Sequence, residues 1–188
     1  MYRFAANYLK VIILFATGLM GLSACSKNCE NILFEINSIG LTPRNFDFST
    51  GQDSPWSNES ELSSTSLALR FEMPKTILNP GNLDSDCPPR YRNNNKAKSI
   101  KMFSNQPFND IPAGEDLLNV CVFTIDGFNV IEKADFLRSI INESNFTRYF
   151  ILFNFMTEVE ATHFLQVVVE FEDGTTKETE FVEVLLKP

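Results

Sequence analysis

The last part of the chain carries the pattern that most restricts its possible folds. Apolar residues recur at every second position from 165 to 171, Asp-Gly follows at 173–174, and a second strand-like run covers residues 175–186. A period of two places alternate side chains on one face of a strand. Asp-Gly between two such runs predicts a hairpin with a type I′ turn, because both residues tolerate positive φ. The chain is therefore expected to build an antiparallel sheet at this end.

The same period recurs further upstream and predicts more strands. Residues 32–39 and 65–73 alternate, residues 45–48 do so briefly, and residues 97–103 are a further predicted strand. Residues 149–156 are apolar on both faces, which favours a central strand. The apolar faces of the first two strands consist of Ile32, Phe34 and Ile36, and of Leu67, Leu69, Phe71 and Met73.

Helical spacing and turn residues complete the predicted arrangement. Apolar residues in 130–142 recur near helical spacing and predict one short helix, whereas residues 117–125 fit either a buried strand or a short helix. The polar, proline-containing stretches 49–64 and 75–96 are predicted as long loops. About seven strands and one helix indicate a mainly β fold, namely an immunoglobulin-like antiparallel β-sandwich. The paired cysteines and central tryptophan of antibody domains are missing, so the likeness is one of architecture alone.

The N-terminus has the organisation of a bacterial export signal. Arg3 and Lys10 precede a nearly unbroken apolar run, and Ser23-Ala24-Cys25 follows it, so small residues stand before the expected cleavage point. This pattern resembles the lipobox of lipoproteins, which implies that residues 1–24 are removed and that Cys25 carries the lipid. Residues 25–30 are then a short tether, and residues 31–188 form the β-sandwich domain.

Plain secretion and an uncleaved membrane helix are the alternatives to this signal. As a helix, residues 11–24 span about 21 Å, whereas the hydrocarbon core of a bilayer measures about 30 Å. The expected membrane partner is therefore the lipid bilayer, reached through the acyl chains on Cys25, and the expected location is the cell envelope, most simply the outer membrane. Which face of that membrane carries the domain is left open.

Charge and aromatic content narrow the classes of partner. Loss of residues 1–24, which hold two basic residues and no acid, changes the net charge from −8 to −10. An acidic surface argues against nucleic acid and against anionic lipid head groups. The 18 phenylalanines favour a well-filled core over disorder.

Three cysteines remain once Cys25 carries lipid. Cys121 lies in an apolar run, where a free thiol behaves as a small core side chain. Cys29 and Cys87 lie in more polar sequence, and the compartment outside the inner membrane permits disulfides. We predict a Cys29–Cys87 bond, although sequence alone leaves the connectivity open.

Several short motifs stand out along the chain. They are Cys25 with Cys29 close behind, Asp86-Cys87-Pro88, the strand from Lys98 to Lys101, the stretch from Pro112 to Leu117, and the terminal run from Val167 to Thr176. Together they resemble a family of Bacteroidota lipoproteins of unknown function that carry an immunoglobulin-like β-sandwich. The resemblance implies a fold and a compartment and no activity.

The sequence contains no recognisable catalytic motif. His163 is the only histidine, so a triad or a histidine-rich metal site would have to depend on it alone. No phosphate-binding loop, nucleophile elbow or dinucleotide turn occurs, and we predict no catalytic residue, metal or cofactor. A glycan hydrolase that uses two carboxylates is the alternative function, since acidic residues are plentiful.

Binding or a structural role in the envelope is the predicted function, with an envelope protein or a glycan as the expected partner. Arg90, Tyr91 and Arg92 offer cations and a ring that suit an anionic group or a glycan, although a solvated loop explains them equally. Trp56, the only tryptophan, suits stacking on a sugar ring, but covering the end of the sandwich is the simpler interpretation.

Overall fold

A computed structural model of the chain describes residues 30–57, 66–79, 88–155 and 157–188. These residues form thirteen strands, one 3₁₀ turn and a short helical segment. The strands are β1 (Asn31–Ile36), β2 (Gly40–Asp47), β3 (Gln52–Pro55), β4 (Leu67–Glu72), β5 (Lys75–Asn79), β6 (Arg90–Asn93), β7 (Ala97–Ser104), β8 (Cys121–Thr124), β9 (Val130–Ile131), β10 (Arg148–Phe153), β11 (Ala161–Phe171), β12 (Thr176–Glu178) and β13 (Val182–Leu186).

The strands pair into three sheets. The first has the order β3-β2-β4-β10-β8-β9 and is antiparallel throughout. In the second, β11 pairs with β7 along one edge and with β12 and β13 along the other. The third has the order β5-β1-β6, in which β1 and β5 are antiparallel and β1 and β6 are parallel. The predicted mainly β, largely antiparallel fold is confirmed, and the parallel β1–β6 pair is an addition to it.

One continuous apolar core joins the three sheets, an arrangement consistent with a β-sandwich. The inward residues of β4, β8 and β10 belong to the same buried cluster as those of β1, β7, β11 and β13. Each large apolar side chain buried in this way stabilises the fold by about 1.5–3 kcal/mol. The predicted apolar face of β4 is confirmed, since its members are at most 1% exposed: Leu67, Leu69, Phe71 and Met73.

The two long loops predicted from polar composition are shorter than expected. The stretch 49–64 contains β3, and the stretch 75–96 contains β5 and β6. These strands are short and mostly exposed, so they lack the apolar alternation by which a strand is recognised. Their backbone groups are paired by the neighbouring β2 and β1, and this pairing supplies the stability that the side chains do not.

The terminal hairpin is confirmed, but its predicted turn type is wrong. Gly174 alone adopts positive φ, at +83°, and its amide donates to the Phe171 carbonyl at 3.0 Å. Thr175 then pairs with Phe171. This geometry is a three-residue loop in which a type I turn is followed by a left-handed glycine. Asp173 instead uses its carboxylate to accept from the Thr175 amide at 2.9 Å, which tightens the loop.

The predicted helix over residues 130–142 is only partly correct. Strand β9 occupies the first two positions, a single α-helical stretch covers Lys133–Asp135, and a π-helical stretch covers Phe136–Ile141. Phe136 and Ile141 are the fully buried members, and their spacing of five matches the wider turn of a π-helix. Residues 117–125 contain both predicted alternatives, the helix and the strand, because a 3₁₀ turn over Leu117–Val120 leads into β8. None of the helices in the described residues is long and apolar enough to cross a membrane.

Candidate functional site

A cavity of about 390 Å³ lies where the third sheet meets the segment that precedes β10. Ligand pockets in proteins measure about 300–1,000 Å³, so a small organic molecule fits this space. Mostly apolar side chains from β1, β5 and β6 line it, together with two polar ones from the segment before β10: Ile32, Phe34, Lys75, Ile77, Tyr91, Asn145 and Thr147.

Strand register brings these side chains together. In the parallel pair, Tyr91 lies beside Ile32, and in the antiparallel pair, Ile77 lies opposite Phe34. Ile32 and Phe34 are 5% and 0% exposed and form an apolar floor, of which Phe34 belongs to the main core. Because alternate residues of a strand share a face, Lys75 is placed on the same side as Ile77.

Lys75 is the charged group of this cavity. Its Nζ donates to the carbonyl of Ser144 at 2.6 Å and lies 4.5 Å from the centroid of the Phe34 ring. No carboxylate of the described residues forms an ion pair with it. Burial disfavours the ammonium form and lowers the pKa of Lys75 to about 8. The cavity thus combines apolar walls with one cation whose charge is not balanced by an acid in this part of the structure.

A second, more polar cavity of about 310 Å³ adjoins the first and shares Tyr91 with it. It is lined by Asn31, Pro89, Arg90, Tyr91, Arg92 and Glu143. Arg90 and Arg92 are exposed, whereas Tyr91 between them is half-buried, as expected for alternate residues of a strand. The structure therefore brings together the three predicted residues of this group at one place on the surface.

Trp56 lies elsewhere. It follows β3, at the edge of the six-stranded sheet, and it packs against the main core while remaining partly exposed. It lines neither of the two cavities. This position agrees with the interpretation in which Trp56 covers part of the sandwich, and it separates Trp56 from Arg90, Tyr91 and Arg92.

The cysteine predictions are tested only at one position. Cys121 is 3% exposed, its thiol donates to the Leu117 carbonyl at 3.3 Å, and burial raises its pKa, which confirms a free thiol in the core. The lipidation site Cys25 and the predicted Cys29–Cys87 pair lie outside the described residues.

His163 is the third residue of β11, and its side chain faces the core with 1% of its surface exposed. Its Nδ1 shares a hydrogen bond of 2.9 Å with the hydroxyl of Ser104, and its Nε2 has no partner in the described part of the chain. Burial lowers the pKa of His163. A serine in contact with a histidine is also found in catalytic triads, but neither Ser104 nor His163 lines either of the two cavities described above. Across the described residues, no three His, Cys, Asp or Glu side chains are grouped closely enough to hold a metal ion.

Lys75 is the residue that the sequence interpretation missed. Pro74 follows the alternating run 65–73, and polar, proline-rich sequence comes after it, a pattern that predicts a loop at Lys75. The run from Lys75 to Asn79 nevertheless has the β-branched residues of a short strand, and that signal could have placed Lys75 and Ile77 on one face.

No protein-family model matches this chain, and no curated protein is significantly similar to it.

Proposed function

We propose that the chain is a lipid-anchored envelope protein whose sandwich domain binds a small ligand with an apolar body and a single anionic group. The observation that carries this proposal is Lys75: a cation without a carboxylate partner among the described residues, set in a mostly apolar cavity. An anionic oxygen near Nζ would balance the charge, and the apolar walls would exclude water from the remainder of the ligand.

The polar cavity supports a further element of recognition. Arg90 and Arg92 stand on the outer side of Tyr91, so a longer ligand that extends past this ring meets two more cations. Arginine binds carboxylates and phosphates through paired donors, which suits an anionic or sugar-like extension. Glu143 in the same cavity disfavours a strongly anionic extension and favours a neutral or weakly anionic one.

Lipid attachment at Cys25 would hold these cavities close to the bilayer. Five residues lie between Cys25 and Asn31, where β1 begins, so the six steps from one Cα to the next reach at most about 22 Å. Both cavities include residues from the first half of β1. Exchange of Cys25 for Ala should release the protein from the membrane fraction, and retention there would contradict the anchor. Protease treatment of intact and lysed cells would then assign the domain to the surface or to the periplasm.

We further infer that the sandwich is of the immunoglobulin-like type and that the chain is related to the Bacteroidota lipoproteins it resembles. The support for the first inference is the set of antiparallel sheets that share one core. The support for the second is the lipobox with the motifs that accompany it.

Ligand binding is tested with two fluorinated probes of nearly equal size. The full chain in detergent is titrated into 4-(trifluoromethyl)benzoate and, separately, into 4-(trifluoromethyl)benzamide, and the fluorine NMR linewidth is recorded. We expect saturable broadening of the benzoate signal and much weaker broadening of the neutral amide. Lys75→Met should abolish the difference, whereas Lys98→Met, which removes an exposed lysine on β7, should preserve it. Equal broadening of both probes, or loss in both variants, would contradict the proposal.

A further inference from the structure

The amine of Lys75 is in an unusual setting for a lysine. It has one hydrogen bond, to the Ser144 carbonyl, and one ring face, that of Phe34, in place of the water that surrounds an exposed ammonium group. A neutral amine keeps two N–H donors, so the bond to Ser144 survives deprotonation while the nitrogen gains a free lone pair. Burial favours that neutral form, as the lowered pKa of about 8 indicates.

Other lysines of the described residues lack this combination. Lys98 is exposed and pairs with Glu170 at 2.8 Å, which raises its pKa above the ordinary value. Lys133 pairs with Asp116. A paired or solvated ammonium group is a poor nucleophile, whereas a desolvated lysine in an apolar pocket is the form that attacks carbonyl carbons.

We propose that Lys75 captures apolar aldehydes that enter the cavity and holds them as a reversible imine. The amine nitrogen adds to the carbonyl carbon, and a proton moves from nitrogen to the carbonyl oxygen to give a carbinolamine. The hydroxyl then leaves together with the remaining proton of the nitrogen as water, and the C=N bond forms. No electrons are gained or lost, and addition of water reverses each step and releases the aldehyde.

The cavity defines the class of aldehyde. Ile32, Phe34 and Ile77 offer apolar contacts, and Tyr91 offers a ring face, so an aromatic or branched aliphatic body is favoured over a sugar. The aldehyde oxygen takes the position proposed above for the anionic oxygen of a non-covalent ligand. This inference rests on the proposed function, because it takes the same cavity to be a ligand site.

The experiment uses 4-(trifluoromethyl)benzaldehyde, which matches the benzoate probe in shape. The full chain in detergent is incubated with it at pH 7.5, the imine is reduced with sodium borohydride, and modified peptides are quantified by mass spectrometry. At this pH roughly a quarter of Lys75 is neutral, against less than about one in a thousand for an ordinary lysine. We expect Lys75 to be modified at least tenfold faster than Lys98. Modification of Lys75 at or below the rate of Lys98 would overturn the inference.

Two variants separate the inference from the proposed function. Lys75→Arg keeps a cation and cannot form the imine, so residue 75 should no longer be modified. Lys98→Arg changes an exposed lysine outside the cavity, so it should leave both the benzoate broadening and the modification of Lys75 unchanged. If the benzoate binds through Lys75 in the wild-type chain and Lys75 is not preferentially modified, the covalent inference fails and the proposed function stands. If Lys75 is modified selectively but neither fluorinated probe binds, the inference stands and the proposed anionic ligand is wrong.

Discussion

The buried ring of His163 makes the stability of the fold sensitive to mild acid. Its Nε2 has no partner in the described structure, and burial lowers its pKa below the ordinary value of 6.5. Between these two pKa values the unfolded chain binds a proton that the folded chain does not, so stability falls as the pH decreases below about 6.5. We expect the urea midpoint of the wild-type protein to drop between pH 7.5 and pH 5.5.

His163→Gln is the control for this pH effect. The variant loses the titrating group, and its urea midpoint should change less over the same interval, whatever its absolute stability. No other histidine is present in the chain to produce a similar slope. Parallel slopes for the two proteins would show that His163 is not the group responsible.

The desolvated amine of Lys75 is expected to cost stability at neutral pH. Its pKa falls from 10.5 to about 8 on folding, so below pH 8 the folded state holds a charge that it solvates poorly. Lys75→Met keeps the length of the side chain and removes the charge, and it should raise the free energy of unfolding by about 1–2 kcal/mol at pH 7. The advantage of the variant should shrink as the pH rises from 8 to 10.5, because the wild-type amine then becomes neutral. A denaturant series over this range, in which the advantage does not decrease, would argue against desolvation as the cause.

Sequence reasoning identified part of the candidate site and missed its central residue, Lys75. Arg90, Tyr91 and Arg92 are neighbours in the chain, so their proximity followed directly from the sequence. Lys75 reaches Tyr91 only through the pairing of β5 and β6 with the two edges of β1, and a single sequence does not contain that register.

Among the glycines in the described part of the chain, Gly127 in the β8–β9 connection leaves the least room for a side chain. Gly127 has a φ of +82°, and a Cβ atom built on it would lie 2.3 Å from Cε1 of Phe46, whose ring is buried. Gly174 in the terminal hairpin has nearly the same φ, but nothing lies within 4 Å of its Cβ position. Gly174→Ala therefore isolates the backbone cost, about 1 kcal/mol or slightly more. Gly127→Ala should cost about 1–3 kcal/mol beyond that, because the Phe46 ring must move. Equal losses for the two variants in urea unfolding would rule out the steric contribution.

Elements with strong apolar alternation were predicted well, and elements without it were not. Strands β4 and β11 bury every second residue in the core, so hydrophobic burial alone specifies them. Strands β3, β5 and β6 form because their backbone groups hydrogen-bond to a neighbouring strand. Their mostly exposed side chains give little sequence signal for a strand. The π-helical stretch has a related cause: the Phe136 ring stacks on Phe123 at 3.8 Å between centroids, and this contact favours the wider turn over the α-helical spacing that the sequence suggests.

Because the three sheets share one main core, we expect the domain to unfold cooperatively. Trp56 packs against that core from the edge of the six-stranded sheet, whereas Cys121 lies in β8, near the opposite edge. Because both residues contact the same buried cluster, the structure around each of them should unfold in a single transition. We therefore expect the fluorescence change of Trp56 and the exposure of the Cys121 thiol to share one urea midpoint.

Thiol exposure can be measured without interference from the other cysteines. Brief pulses of N-ethylmaleimide at increasing urea, followed by peptide mapping, report Cys121 alone, and its burial keeps it unreactive while the core is intact. Coincident midpoints would mean that the sheets unfold as one unit. A ligand that binds only the folded state, in the cavity lined by β1, β5 and β6, would then raise the Cys121 and Trp56 midpoints equally. If the Trp56 transition came first, the edge formed by β2 and β3 would be an independent unit, and occupation of the cavity would then protect Cys121 without protecting Trp56.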